Sequence, residues 1–423
     1  MLEAGTLRQS TAPYPTRHQP YAPGWLLLWE SPLWSSLFAL AAYSALTLSH
    51  AWPWSSTRYA YYNFLADALL HGQAHLRLLP PTANDLVIFN GFYYLYWPPF
   101  PAVLLVPFVA LFGTGFSDIL FTTVVGSLNV ALVALLLRKA QSVSLINLTR
   151  AQRALLVLFF ALGTVHVTLA PQGRVWETGQ LVGFGFVALT YLAAIGRKGP
   201  MAFLLAGLAM AAATMTRNHL ILAGIWPAWH LLVGHRSVGW PRLLKYCLIG
   251  ALPVVLAVLS LGLYNWARFG NALDVGLAHH QMSNFFREEF SRYGAFNLHY
   301  LPTNLYFQTL AYPFGGNLYM GGSLFLLSPV WLGAAWGLVG RQSRKTVAAL
   351  LLCAAAVDVP ILLLMGTGWV QFGSRYTLDF TVPLLLATAM GVRHWPLRVV
   401  WWLTAVSVVH FLVGTVFLSR ALS

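Results

Sequence analysis

Charge is scarce in this chain. Only 9% of its 423 residues are Asp, Glu, Lys or Arg, against 58% hydrophobic residues, and the mean hydropathy is +0.65. A soluble globular domain is about 25% charged, so that class is excluded and a polytopic membrane protein is expected. Cysteine is nearly absent as well. Cys247 and Cys353 both sit inside apolar runs, which excludes a disulfide framework and a thiolate metal site. Acidic residues number 11 against 25 Lys and Arg, a formal net charge of +14. The cations fall in short clusters between hydrophobic segments, a pattern of membrane topology and not of nucleic-acid binding. No charged-then-apolar leader opens the chain: Met1 to Glu30 carries Pro13, Pro15, Pro20 and Pro23, and residues 1–32 read as a cytoplasmic tail.

What is abundant is apolar length and aromatic residues. The 17 Trp and 18 Tyr suit interfacial belts, where an apolar ring and a polar tip both find partners. Runs able to cross about 30 Å of hydrocarbon, which takes about 20 residues, fall near 33–52, 118–137, 153–170, 177–196, 200–216, 218–234, 244–266, 322–340, 346–366, 377–392 and 398–418. Pro98 to Phe112 is apolar too but short and proline-rich.

The positive-inside rule decides its role. If Pro98 to Phe112 does not cross, Arg138, Lys139, Arg150, Arg153, Arg197, Lys198, Arg236, Arg242, Lys245, Arg341, Arg344, Lys345, Arg393 and Arg398 share the cytoplasmic side with Arg8 and Arg17, 16 of the 25 cations. The sequence therefore predicts an all-α multi-pass protein of the inner (plasma) membrane. It has about eleven transmembrane helices, a juxtamembrane or re-entrant helix in the first outer loop, N-terminus in and C-terminus out. Residues 33–423 form one transmembrane domain with outer loops at 53–117 and 271–321. The outer face also collects 171–176, the turn 217–219 and 367–376, and these five pieces must build any site.

Few residues there can carry chemistry. Asp85 lies between Pro80-Pro81 and the aromatic run Tyr93 to Trp97, where a base could meet a hydroxyl acceptor. A turn role after Asn84 is as plausible on sequence alone. Asp67 stands four residues from Asn63 and from His71, and Tyr59 precedes them by the same step, a spacing that places all four on one helix face. Asp358 lies inside an apolar run, where a carboxylate is costly. Asp118 is expected to cap a helix, and Asp379, one turn after Arg375, to pair with it. Arg375, flanked by Gly368 and Gly373, and Arg217 and Arg174 are candidates to grip a phosphate; snorkelling to the interface is the plain alternative. His279, His280 and His299 lack partners at metal-ligand spacing. Gly207 to Ala211 reads as a helix-packing face.

Taken together, these residues resemble a known family. An outer loop after the first crossing, ending in Tyr96-Trp97-Pro98-Pro99 before a short helix, is similar to that of the multipass glycosyltransferases of the C superfamily. So are Phe116 to Lys139, Thr214 to Arg217, Tyr264 to Gly270 and Gln371 to Phe380. The resemblance implies hexosyl or pentosyl transfer from a polyprenyl-phosphate sugar on the outer face, with an early carboxylate as base. Tyr96 and Trp97 would help bind the substrate, and Arg375, with Arg217 or Arg174, would hold the lipid phosphate. The family's acidic pair would fall near Thr57-Arg58, neither of which is acidic. Asp85 or Asp67 then takes the role, or the chain has lost transfer activity. Membrane lipids are the implied partners and nucleic acid is not. A divalent ion is compatible with these carboxylates, although no cluster demands one. The rival readings are an inactive subunit bound to partner membrane proteins, and a transporter of lipid-linked substrates.

Overall fold

The computed structural model describes residues 22–313, 321–340, 343–367 and 371–422. Glu3, Arg8, Arg17, Arg341 and Gly368 lie outside the described residues. Apolar sequence without water leaves backbone N–H and C=O groups only each other as partners, so the hydrophobic runs become helices. Six are long and apolar enough to cross a membrane: Asp118–Ser142, Arg150–Leu169, Val175–Gly196, Trp240–Phe269, Arg344–Leu363 and Leu397–Phe417. The other expected crossings are shorter or broken. Pro32–Thr47 has 16 residues and Pro200–Thr214 has 15. Residues 218–234 divide into a 3-10 turn, Asn218–Gly224, and a helix, Ile225–Gly234. Residues 322–340 divide at Ser328-Pro329 and Gly333 into one-turn pieces, as proline lacks the donor a helix needs.

The interior is a continuous apolar core that includes Phe159, Phe160, Phe184, Tyr191, Trp331 and Leu385. Every residue of Thr381–Val392 is buried, so this helix is the centre of the bundle. Trp240–Phe269 sits at the rim with only 6% of its apolar window buried. It docks on Pro200–Thr214 through glycines, as the small-residue run predicts: a Cβ on Gly207 would stand 2.1 Å from the Gly250 carbonyl oxygen. Gly207→Val should therefore force the helices apart and cost about 1–3 kcal/mol. A lowered Tm in detergent, absent in Gly234→Ala where a Cβ meets open space, checks this.

The first loop forms a small layer of its own. Helix Tyr61–Leu70 packs with helix Phe100–Phe112 over a core of Tyr61, Leu65, Leu86, Leu95 and Leu105. Between them is an antiparallel hairpin, Val87–Phe89 with Phe92–Tyr94, in register Val87↔Tyr94. Its turn residues, Asn90 and Gly91, have φ of 48° and 80°, the left-handed pair of a type I′ turn. This strand pair departs from an all-α fold. The apolar helix is 13 residues, about 20 Å. Its residues Val103, Phe108, Leu111 and Phe112 are exposed. The Phe100 amide donates to the Met215 carbonyl (3.1 Å), and Arg268 donates to the Leu95 carbonyl (2.6 Å). The layer is thereby tied to the ends of two long helices.

Asp118 does not cap its helix. Ser117 is the cap, accepting from the Leu120 amide, while buried Asp118 accepts from the Thr57 amide and hydroxyl and from the Arg174 amide, at 2.9, 2.6 and 2.9 Å. It fastens the first loop to the 171–174 turn. Ahead of helix Pro32–Thr47, Glu30 pairs with Arg150 (2.9 Å) and Arg153 at the start of the helix that begins at Arg150.

Candidate functional site

Three of the five segments meet at Trp176. Its indole Nε1 donates to Asp85 Oδ2 (3.1 Å), Tyr59 lies 4.9 Å from its ring, and Trp97 meets it edge-on at 6.4 Å. The Arg375 guanidinium lies over the same ring, 5.9 Å from its centroid. One indole thus joins the first loop, the 171–176 turn and the 367–376 segment.

Asp85 is clamped from several directions. It has φ of 63°, a left-handed conformation that Asp adopts more readily than most residues. Its amide donates to the Gln281 carbonyl (3.0 Å), and the Gln281 amide donates back to the Leu86 carbonyl (2.8 Å). His280 Nε2 lies 3.1 Å from Asp85 Oδ1, and the same residue pairs with Val87 in a β-bridge. The Asp85 carboxylate therefore serves the indole and the imidazole, not the amides of its own turn. Tyr96 stacks on Trp97 at 3.9 Å and meets the His280 ring at 4.9 Å. Burial and the field of Asp85 hold the Tyr96 phenol well above its ordinary pKa, so it remains a hydrogen-bond donor.

The cationic side is built from Arg375, Arg217 and Tyr376. The Tyr376 ring lies 5.2 Å from one guanidinium and 5.1 Å from the other, a contact attractive for cations over an aromatic face. Arg217 is anchored by Asp379 (3.0 Å), which also receives His219 Nε2 (2.9 Å). This corrects the expected intrahelical pair: Asp379 binds Arg217 and His219, because residues 375–380 form a 3-10 turn that does not keep the α-helical i,i+4 spacing. Arg375 forms no ion pair among the described residues, although the Glu177 carboxylate acts on it at longer range; its amide donates to Gln371 Oε1 (3.1 Å), and its Nε is buried without a partner among the described residues. Gly373 serves packing: a Cβ there would stand 2.8 Å from Phe411, so its smallness admits a helix and not a ligand.

The remaining candidates sit elsewhere. Asp67 receives Arg77 through two hydrogen bonds, 3.1 and 3.0 Å. Tyr59 lies outside helix Tyr61–Leu70, and Asn63 donates to the carbonyls of Thr114 and Phe116, so the supposed common face serves three separate contacts. Arg174 donates to Gln172 (2.5 Å). Asp358 accepts from Gln308 (2.7 Å). Asp274 accepts from the Gly276 amide (2.7 Å), and Glu289 meets His299 (3.0 Å). His280 and His219 were not singled out as site residues, and only their partners give them meaning. Among the described residues, no group of three or more His, Cys, Asp or Glu could hold a metal ion.

No family model matches the chain, and no curated protein matches it in sequence. Solved structures do. The oligosaccharyltransferase of Archaeoglobus fulgidus, in its apo form, matches 92% of this chain at 14% identity and a TM-score of 0.50, over 55% of its own length. ArnT from Cupriavidus metallidurans bound to undecaprenyl phosphate matches 91% of this chain at 15% identity and a TM-score of 0.49, over 62% of its own length. The apo state of ArnT matches at 16% identity and a TM-score of 0.48. The chain thus spans less than two thirds of the solved structures it matches. At these identities the likeness is one of fold: the chain shares the multipass membrane architecture of the oligosaccharyltransferase, as the resemblance in its sequence implies.

Proposed function

We propose that this protein is a membrane glycosyltransferase that moves a sugar from a polyprenyl-phosphate donor to a lipid, glycan or protein acceptor at the outer membrane face. The observation that carries this reading is the flanking of one indole by a carboxylate and a guanidinium, supplied by segments 85, 176 and 375. In this reading the membrane is crossed about eleven times, and residues 98–112 form a juxtamembrane or re-entrant helix at its outer side.

The chemistry follows from the parts. Asp85 takes the proton of the acceptor hydroxyl as its oxygen bonds to the anomeric carbon. The bond from that carbon to the phosphate oxygen breaks, and the electron pair leaves with polyprenyl phosphate. Arg375, with Arg217 behind Tyr376, meets the growing phosphate charge in a site walled by Tyr96, Trp97 and Trp176. Asp67, paired with Arg77, takes no direct part.

Purified protein should move radiolabel from a polyprenyl-phosphate sugar into lipid or protein acceptors, and Arg375→Ala should lose that incorporation. Folded wild type that transfers nothing from any hexosyl or pentosyl donor would contradict the reading and favour an inactive subunit or a transporter.

A further inference from the structure

Beneath the site, helix Val175–Gly196 carries polar atoms that nothing in the mechanism uses. Trp176, Gln180 and Gly183 recur at steps of four and three and so share one face. The upper end of that face meets Asp85 through Trp176. The lower end meets Arg217, whose Cδ would stand 3.6 Å from a Cβ on Gly183. Gln180 lies between them, 0% exposed, and neither Oε1 nor Nε2 has a hydrogen-bond partner among the described residues. Glu177, one turn away and 6% exposed, has an unpartnered Oε2. Tyr62, 2% exposed, has an unpartnered hydroxyl, and that hydroxyl would stand 3.2 Å from a Cβ on Gly179 of the same helix.

Buried polar groups are almost always paired, and each unpaired one is costly. A cluster of three on the floor of one site therefore points to a ligand. The atom types identify it. Arg217 and Arg375 offer donors that an ionised phosphate can satisfy. Glu177 Oε2 and Gln180 Oε1 are acceptors, which a phosphate cannot satisfy and a hydroxyl can. We infer that Gln180, with Glu177 and Tyr62, forms a subsite that reads the hydroxyl groups of the sugar carried by the lipid phosphate. Gln180 is its specificity-determining residue, because its amide presents a donor and an acceptor side by side. This rests on the proposed lipid-linked donor.

The test is binding of polyprenyl-phosphate mannose, polyprenyl-phosphate glucose and sugar-free polyprenyl phosphate to wild type, Gln180→Met and Arg375→Ala in detergent. Wild type should bind one sugar-bearing lipid at least about tenfold tighter than the sugar-free lipid. Gln180→Met, nearly isosteric, should erase that preference while leaving affinity for the sugar-free lipid unchanged. Its ligand-free Tm should not fall, since it removes an unpaired amide; a fall would mean that Gln180 is a structural residue and would overturn the inference. Equal binding of all three lipids by wild type, or a preference that survives Gln180→Met, would overturn the subsite alone. Binding of no lipid by folded wild type would overturn the lipid-linked donor and the subsite together.

Discussion

Asp85→Asn should lower kcat for sugar transfer by about 10²–10⁴-fold, the usual contribution of a positioned general base. The amide keeps the shape of the carboxylate, so the Trp176 contact and the hairpin should survive. KM for the lipid donor should change little, because the proposed mechanism gives the phosphate to Arg375 and not to Asp85. Asp67→Asn offers the contrast. Asp67 faces Arg77, whose side chain is 39% exposed, and solvent screens a pair of that exposure. Its loss should leave kcat nearly unchanged. Steady-state kinetics on both variants check the pair, and the opposite ranking would make Asp67 the base.

Arg217→Ala should be the most destabilising substitution at the site. Asp379 has a side chain that is 0% exposed, and Arg217 is the permanent cation beside it. Removing one partner of a buried ion pair leaves the other charged and unpaired, at a cost of about 3–5 kcal/mol. His219 would remain against Asp379 and soften the loss. The double variant Arg217→Met with Asp379→Leu should recover much of the stability, since replacing a whole buried pair with apolar groups is often neutral. Thermal unfolding in detergent would show the recovery. A double variant less stable than Arg217→Ala would mean that the two residues do not act as a pair.

Much of the frame was legible before the structure. The distribution of Lys and Arg grouped segments 53–117, 171–176, 217–219, 271–321 and 367–376, and contacts of Trp176, Tyr376 and His280 join all five. Asp85 and Arg375 were candidates on local sequence, and they flank one indole. The small-residue run at Gly207 announced a close helix contact for the reason membrane helices use glycine.

The pairings were not legible. His280 stands 195 residues from Asp85, and His219 stands 160 from Asp379, so no spacing rule could join them. The Arg375–Asp379 expectation failed because it assumed an α-helix where the chain makes a 3-10 turn. One feature was available and was passed over: Asn90-Gly91 between Val87-Ile88-Phe89 and Phe92-Tyr93-Tyr94 is a strong hairpin signal, and that hairpin carries Asp85 to His280. The number of crossings rests on apolar length and the placement of Lys and Arg, neither of which registers the breaks at Asn218, Ser328 and Arg375.

The most direct test of the central claim is photo-crosslinking of a diazirine-labelled polyprenyl phosphate, with the label beside the phosphate, followed by mapping of the modified peptides. The account predicts labels in the segments around Trp97, Trp176 and Tyr376, competed by unlabelled polyprenyl-phosphate sugar and lost in Arg375→Ala. Labels confined to the opposite end of the bundle, near Glu30, Arg150 and Arg153, would contradict it.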